Sequence, residues 1–165
     1  MRDIVIANHY PRLRLPRPAI ARALALLDAA APRFRGGCPA GELSLVFLTD
    51  SALAQLHADF LQDPRTTDVI TFAGQPDLGV AGEICVSVDT AARYARQHGH
   101  AFATELLLYL VHGWLHLAGY DDLQPVKKRA MRRAEARALK ILTAAGALPA
   151  FTLRPAQSPK RAKRG

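Results

Sequence analysis

The stretch ELLLYLVHGWLHLAGYDD, residues 105–122, decides the reading of this chain. Apolar residues run from Leu106 to Val111 and resume at Trp114, Leu115 and Leu117, which predicts a largely buried helix. His112 and His116 stand four apart within it. Positions i and i+4 share one helix face, with Cβ atoms about 5–6 Å apart, so both imidazoles can bind one metal ion. Buried imidazoles need partners for their nitrogens, and a metal supplies one to each. Gly119 ends the helix, and Asp121 and Asp122 follow directly. A chain that turns back at the glycine brings one of these carboxylates up as a third ligand. Two neutral nitrogens, one carboxylate oxygen and an open fourth position make a catalytic zinc arrangement. Six histidines in 165 residues make the spacing weak evidence alone; the apolar helix and the glycine stop strengthen it.

Outward from this helix, the pattern predicts strands over 2–8, 42–48, 67–72 and 82–88. Helices are expected over 19–31, with Pro18 in the first turn, and over 51–60, capped by Thr49 or Asp50. A further helix is expected over 90–98, capped by Asp89 and stopped by Gly99. The histidine helix spans roughly 102–118, and a last helix runs from 125 to 145 and stops at Gly146. Strands and helices alternate in the first half and helices fill the second. This points to one α/β (α+β) domain, a small mixed sheet of about four strands with about five helices packed on it. The domain is expected over 1–146. Residues 147–165 hold three prolines, five basic residues and little periodicity, and are expected to form a disordered tail.

The net charge of +8 is unevenly placed. Residues 127–165 hold 12 Lys/Arg against Glu135 alone, which is +11; residues 1–126 hold 10 Lys/Arg and 13 Asp/Glu, which is −3. A slightly acidic body with a basic end suits a polyanion, RNA or DNA first, or else a solvated helix face and tail. The cluster KKRAMRR at 127–133 favours phosphate, with Lys127, Lys128 and Arg129 as candidate contacts to a nucleic-acid backbone. No apolar run is long enough to span a bilayer, and no signal peptide is visible. Cys38 and Cys85 read as reduced thiols of a cytoplasmic protein.

The common metalloprotease motif places a glutamate after the first histidine. Here Gly113 stands there, so a peptidase would need its base from elsewhere. What remains is the power to lower the pKa of a bound water, for attack on phosphorus or on a carbonyl. The basic end tilts that choice toward phosphodiesters.

Three segments, HGWLHLAGYDD at 112–122, TDVITF at 67–72 and GEICVSVDTA at 82–91, resemble the YbeY family of bacterial rRNA-maturation endoribonucleases in order and spacing. The resemblance covers roughly residues 1–145. It implies a small mixed sheet with several helices and one zinc ion on the motif's ligands. It also implies metal-dependent cleavage of single-stranded RNA in 16S rRNA 3′-end maturation and ribosome quality control, in the cytoplasm. The implied partners are the 16S rRNA precursor and the ribosome or small-subunit proteins.

Two departures stand out. The family's third ligand is usually histidine, and its place is taken by Asp122, which binds zinc through oxygen. Asp121 matches the family's aspartate. The family's arginine after the aromatic at Phe60 is replaced by Leu61, and Arg65 in the same loop is the candidate to supply the lost phosphate contact. Glu83 reads either as a residue pointing into the cleft or as a solvent residue on an edge strand, and the second reading is favoured. Two rivals remain: a non-catalytic ribosome assembly factor with a structural metal, and a metal-dependent hydrolase of amides or esters. The first requires a fourth protein ligand.

Overall fold

A computed structural model describes residues 2–61 and 68–156. In chain order, β1 is Ile4–Asn8, β2 Leu13–Arg14, α1 Arg17–Ala29, β3 Glu42–Leu48, α2 Asp50–Leu61, β4 Val69–Ala73 and β5 Val80–Ser87. Then come α3 Val88–His98, α4 Phe102–Leu117, α5 Pro125–Ala144 and β6 Thr152–Leu153. The main sheet has the order β1-β3-β5-β4. β1, β3 and β5 are parallel, and β4 runs antiparallel to β5. The expected fold class, a mixed sheet of about four strands with about five helices, is the one observed, with four strands in the main sheet and five α-helices among the described residues.

One face of the sheet carries the larger core. Leu43, Leu45 and Phe47 of β3 and Ile84 and Val86 of β5 meet α1, α4 and α5 there. The other face carries a smaller cluster of Leu48, Leu53, Ile70 and Cys85 under α2. β5 is buried along nearly its whole length because it has a paired strand on each side and a helix on each face. Glu83 therefore sits on a central strand rather than at an edge, half-buried on the α2 side, where its carboxylate meets the Cys85 thiol. It does not line the cleft described below. Both cysteines are free and buried.

α4 lies on β5 through its smallest residue. A Cβ at Gly113 would stand 2.5 Å from Ile84 Cγ2, so glycine lets the helix backbone rest directly on the strand. One turn on, Leu117 fills the space over Gly82, where a Cβ would meet its Cδ2 at 2.7 Å. Trp114 is fully buried, packs edge-on against Phe34 at 5.5 Å and donates to Asp28 Oδ1 at 3.2 Å. Asp28 in turn takes two hydrogen bonds from Arg2 at 2.9 and 3.0 Å. These contacts set the rotation of α4 and hence the direction in which its histidines point.

Two sequence expectations are corrected. Ser87, not Asp89, caps α3: its hydroxyl accepts from the Thr90 N–H at 3.1 Å. Asp89 is instead drawn to tertiary partners, accepting from the Tyr10 hydroxyl at 2.6 Å and the Asp50 N–H at 2.8 Å. The chain also stays packed past Gly146. Ala147 and Phe151 are buried, and β6 pairs antiparallel with β2. A short two-residue ladder to a distant strand leaves no periodic trace, so composition alone read this segment as tail. Residues 157–165 lie outside the described residues. No helix among the described residues is long and apolar enough to cross a membrane.

Candidate metal centre

α4 is strongly apolar, and its one polar window faces α5 and the turn beyond Gly119. In that window His112 Nε2 and His116 Nε2 stand 3.0 Å apart, with the rings nearly perpendicular at 82°. The turn brings Asp122 to them: Oδ2 is 3.4 Å from His112 Nε2, and Oδ1 is 3.6 Å from His116 Nε2. One donor atom from each residue lies within 4.8 Å of the others. At 3.0 Å the two ring nitrogens can share a proton, and a divalent cation between them would serve both nitrogens and the carboxylate at once. The donor set fits zinc chemistry. Among the described residues this cluster has three protein ligands and leaves a position for solvent or substrate.

The turn that carries Asp122 is held on three sides. Gly119 takes φ +103°, a conformation that favours glycine. Tyr120 is buried, with the Arg35 guanidinium 4.1 Å over its ring and its hydroxyl accepting from Arg137 at 3.2 Å. Arg35 also donates to the Gly119 carbonyl at 3.2 Å. Asp121 is spent on the turn, accepting the N–H groups of Asp122 at 2.7 Å and Leu123 at 3.2 Å. This leaves Asp122 as the carboxylate that faces the histidines.

A residue the sequence reading passed over completes the site. Glu135 of α5, the lone acid of the basic end, places Oε1 2.6 Å from His112 Nδ1. His116 has a backbone hydrogen bond with Tyr120. Each imidazole is thus oriented from behind while its front nitrogen points at the shared centre, the arrangement that fixes the tautomer of a metal-ligating histidine. In the metal-free chain, burial opposes charge on His112. The Glu135 hydrogen bond and charge outweigh it and hold His112 above its ordinary range. Burial, together with the neighbouring His112, pushes His116 down. A neutral ring that keeps Nε2 free is the state a metal requires. Glu135→Gln is expected to weaken metal binding by about 10- to 100-fold while leaving the fold intact. Competition with a chromogenic chelator reads this directly, and an unchanged affinity would show that Glu135 is only a packing partner.

The centre opens on a cleft of about 500 Å³. Lys128, Arg132 and Glu135 line it from α5 at positions i, i+4 and i+7, so one helix face carries both the carboxylate behind His112 and two cations. Of the three basic residues expected to contact nucleic acid, Lys128 alone lines the cleft. Lys127 turns to Asp121, 3.8 Å away, and Arg129 is exposed outside the lining. The reason is the 100° step per residue: neighbours on a helix do not share a face. Arg132 and Glu135 follow from applying that spacing to Lys128. On the far wall, Glu105 is buried at the cleft with a hydrogen bond to Tyr109, and burial pushes its carboxyl above the usual range. Arg93 is anchored there by Asp50 at 2.9 Å. Arg65 and the side chain of Leu61 lie outside the described residues.

The family model described as Endoribonuclease YbeY matches residues 18–143. An Endoribonuclease YbeY of Anaeromyxobacter dehalogenans is 40% identical over 130 residues, 76% of this chain and 67% of that protein. One from Syntrophotalea carbinolica is 43% identical over 106 residues, 61% of this chain and 70% of that protein. The fold is similar to the solution structure of TM1509 from Thermotoga maritima, with a TM-score of 0.60 at 22% identity, over 88% of this chain and 91% of that one. The family match takes in β3 to β5, the histidine helix, the turn and Glu135, and on that span this chain belongs to the Endoribonuclease YbeY family.

Proposed function

We propose that this chain is a metal-dependent endoribonuclease of ribosomal RNA processing. Its proposed substrate is single-stranded RNA of the 16S rRNA precursor at its 3′ end, with a part in ribosome quality control. The observation that carries the reading is the triad of His112, His116 and Asp122 opening onto a cleft edged by Lys128 and Arg132. The names of the relatives support the same reaction class.

A divalent cation held there, zinc by its donor set, supplies a nucleophilic water near neutral pH and a Lewis acid for a phosphoryl oxygen. The chain's own residues do the rest. Glu135 and the Tyr120 backbone hold the two rings in place. Lys128 and Arg132, which line the cleft, neutralise RNA phosphates there, and Arg65 is proposed as a further phosphate contact. Gly113 stands where the metalloprotease motif carries its general-base glutamate, so that mechanism has no base at that position. The ribosome or its small-subunit proteins are the proposed partners, in the cytoplasm.

The test is cleavage of single-stranded RNA by the full chain purified without a histidine tag. Activity is expected to vanish in chelator and return with added zinc. Cleavage that persists in chelator would remove the reading. Asp122 adds a finer expectation. Its negative charge leaves the active water less acidic than a third histidine would, so Asp122→His should move the acid limb of the pH–rate profile to lower pH. Coincident limbs would count against Asp122 as a ligand.

A further inference from the structure

The cleft beside the triad does not stop at α4. A second hollow of about 480 Å³ adjoins it, and Tyr94, Glu105 and Leu108 line both, so one trough runs from His112 to His100. At its outer end Tyr94 and His100 line it, and the exposed ring of His98, outside the lining, lies nearly parallel to both. Tyr94 stacks on His98 at 3.8 Å and 17°, and His100 lies 6.2 Å from each, at 9° to Tyr94 and 23° to His98. Tyr94 is 42% exposed and both histidines are exposed, so the cluster adds little to the core. Lys128 and Arg132 stand on the α5 side of the same trough. Glu105, between the two hollows, has its carboxyl pushed up by burial, toward the form that does not repel phosphate.

Ring faces on one side, cations on the other and a hydrolytic centre at the inner end match the chemistry of one ligand. Single-stranded nucleic acid binds through base–aromatic stacking with cations tracking its backbone. A duplex buries its base faces on one another and cannot use such a platform. We propose that this trough is a track for single-stranded RNA, whose bases stack on Tyr94, backed by His98, and on His100 while Lys128 and Arg132 hold its phosphates and lead the strand to the triad. This rests on the endoribonuclease reading and adds to it the part of the molecule that tells unpaired RNA from paired.

The experiment measures fluorescence anisotropy of a labelled single-stranded RNA of about a dozen nucleotides, and of the same sequence as a duplex. The full chain is held in chelator so that nothing is cut. Tyr94→Ala is expected to weaken single-strand binding by about 5- to 100-fold, the usual loss per stacked base. Tyr94→Phe should bind as wild type does, and the weak duplex binding should not change. The double variant His98→Ala/His100→Ala should show a smaller loss in the same direction. Equal single-strand affinity for wild type and Tyr94→Ala would overturn the track and leave the rings to a protein partner. An equal loss on duplex would overturn it too. A wild-type chain that neither binds nor, with zinc restored, cleaves single-stranded RNA would sink the endoribonuclease reading itself.

Discussion

His116→Ala is expected to lower RNA cleavage by about three orders of magnitude or more, because it removes a ligand on which the active water and the Lewis acid both depend. The remaining pair, His112 and Asp122, stands 3.4 Å apart and still attracts a cation, but two ligands do not hold it in a defined geometry. The fold should survive. His116 is half-buried in the polar window of α4, and its loss leaves Trp114, Leu115 and Gly113 in their places against the core. Metal content by elemental analysis should fall together with activity, while the thermal midpoint without metal stays near that of wild type. Cleavage that stays unchanged in the variant would point to a contaminating nuclease and would undo the assignment of the centre.

Gly113→Glu is expected to be the most damaging change on α4. On paper it restores the glutamate that follows the first histidine in a metalloprotease. In the fold it places a Cβ 2.5 Å from Ile84 Cγ2 and 2.9 Å from Cγ1, and drives a charge into the interface between α4 and β5. Overpacking costs about 1–3 kcal/mol by itself, and an unpaired buried carboxylate adds at least as much. Against a total stability of about 5–15 kcal/mol, the loss empties much of the folded population. Gly113→Ala isolates the steric part. It should cost about 1–3 kcal/mol in chemical denaturation, less the gain of about 1 kcal/mol in helix propensity. A Gly113→Glu chain that folds with normal stability and binds metal would show that α4 can lift from β5, which the contact with Ile84 argues against.

Much of this molecule was legible in its residues. The apolar periodicity of α4, the four-residue spacing of His112 and His116 and the glycine stop are local properties. They predict a helix, a face and a turn without reference to the remaining chain. The alternation of apolar and polar segments likewise predicted β3 residue for residue, and α5 to within one residue at its end. Less local features were misread. Asp89 has the composition of a cap, but its carboxylate is worth more to Tyr10 and to the Asp50 N–H, both far off in sequence, and Ser87 caps instead. The segment after Gly146 looked like tail because its partner, β2, lies more than a hundred residues earlier.

The residues by themselves determined that a buried helix would carry two histidines on one face, with a carboxylate beyond a glycine, because helix geometry links positions three and four apart. Only the tertiary structure decided that Glu135 stands behind His112, that Lys128 and not Lys127 faces the cleft, and that Glu83 belongs to a central strand. Those facts depend on how α4 is rotated on β5 and how α5 crosses α4. That rotation is set by close packing at Gly113 and Trp114 against residues distant in sequence, and no pattern within one element records it.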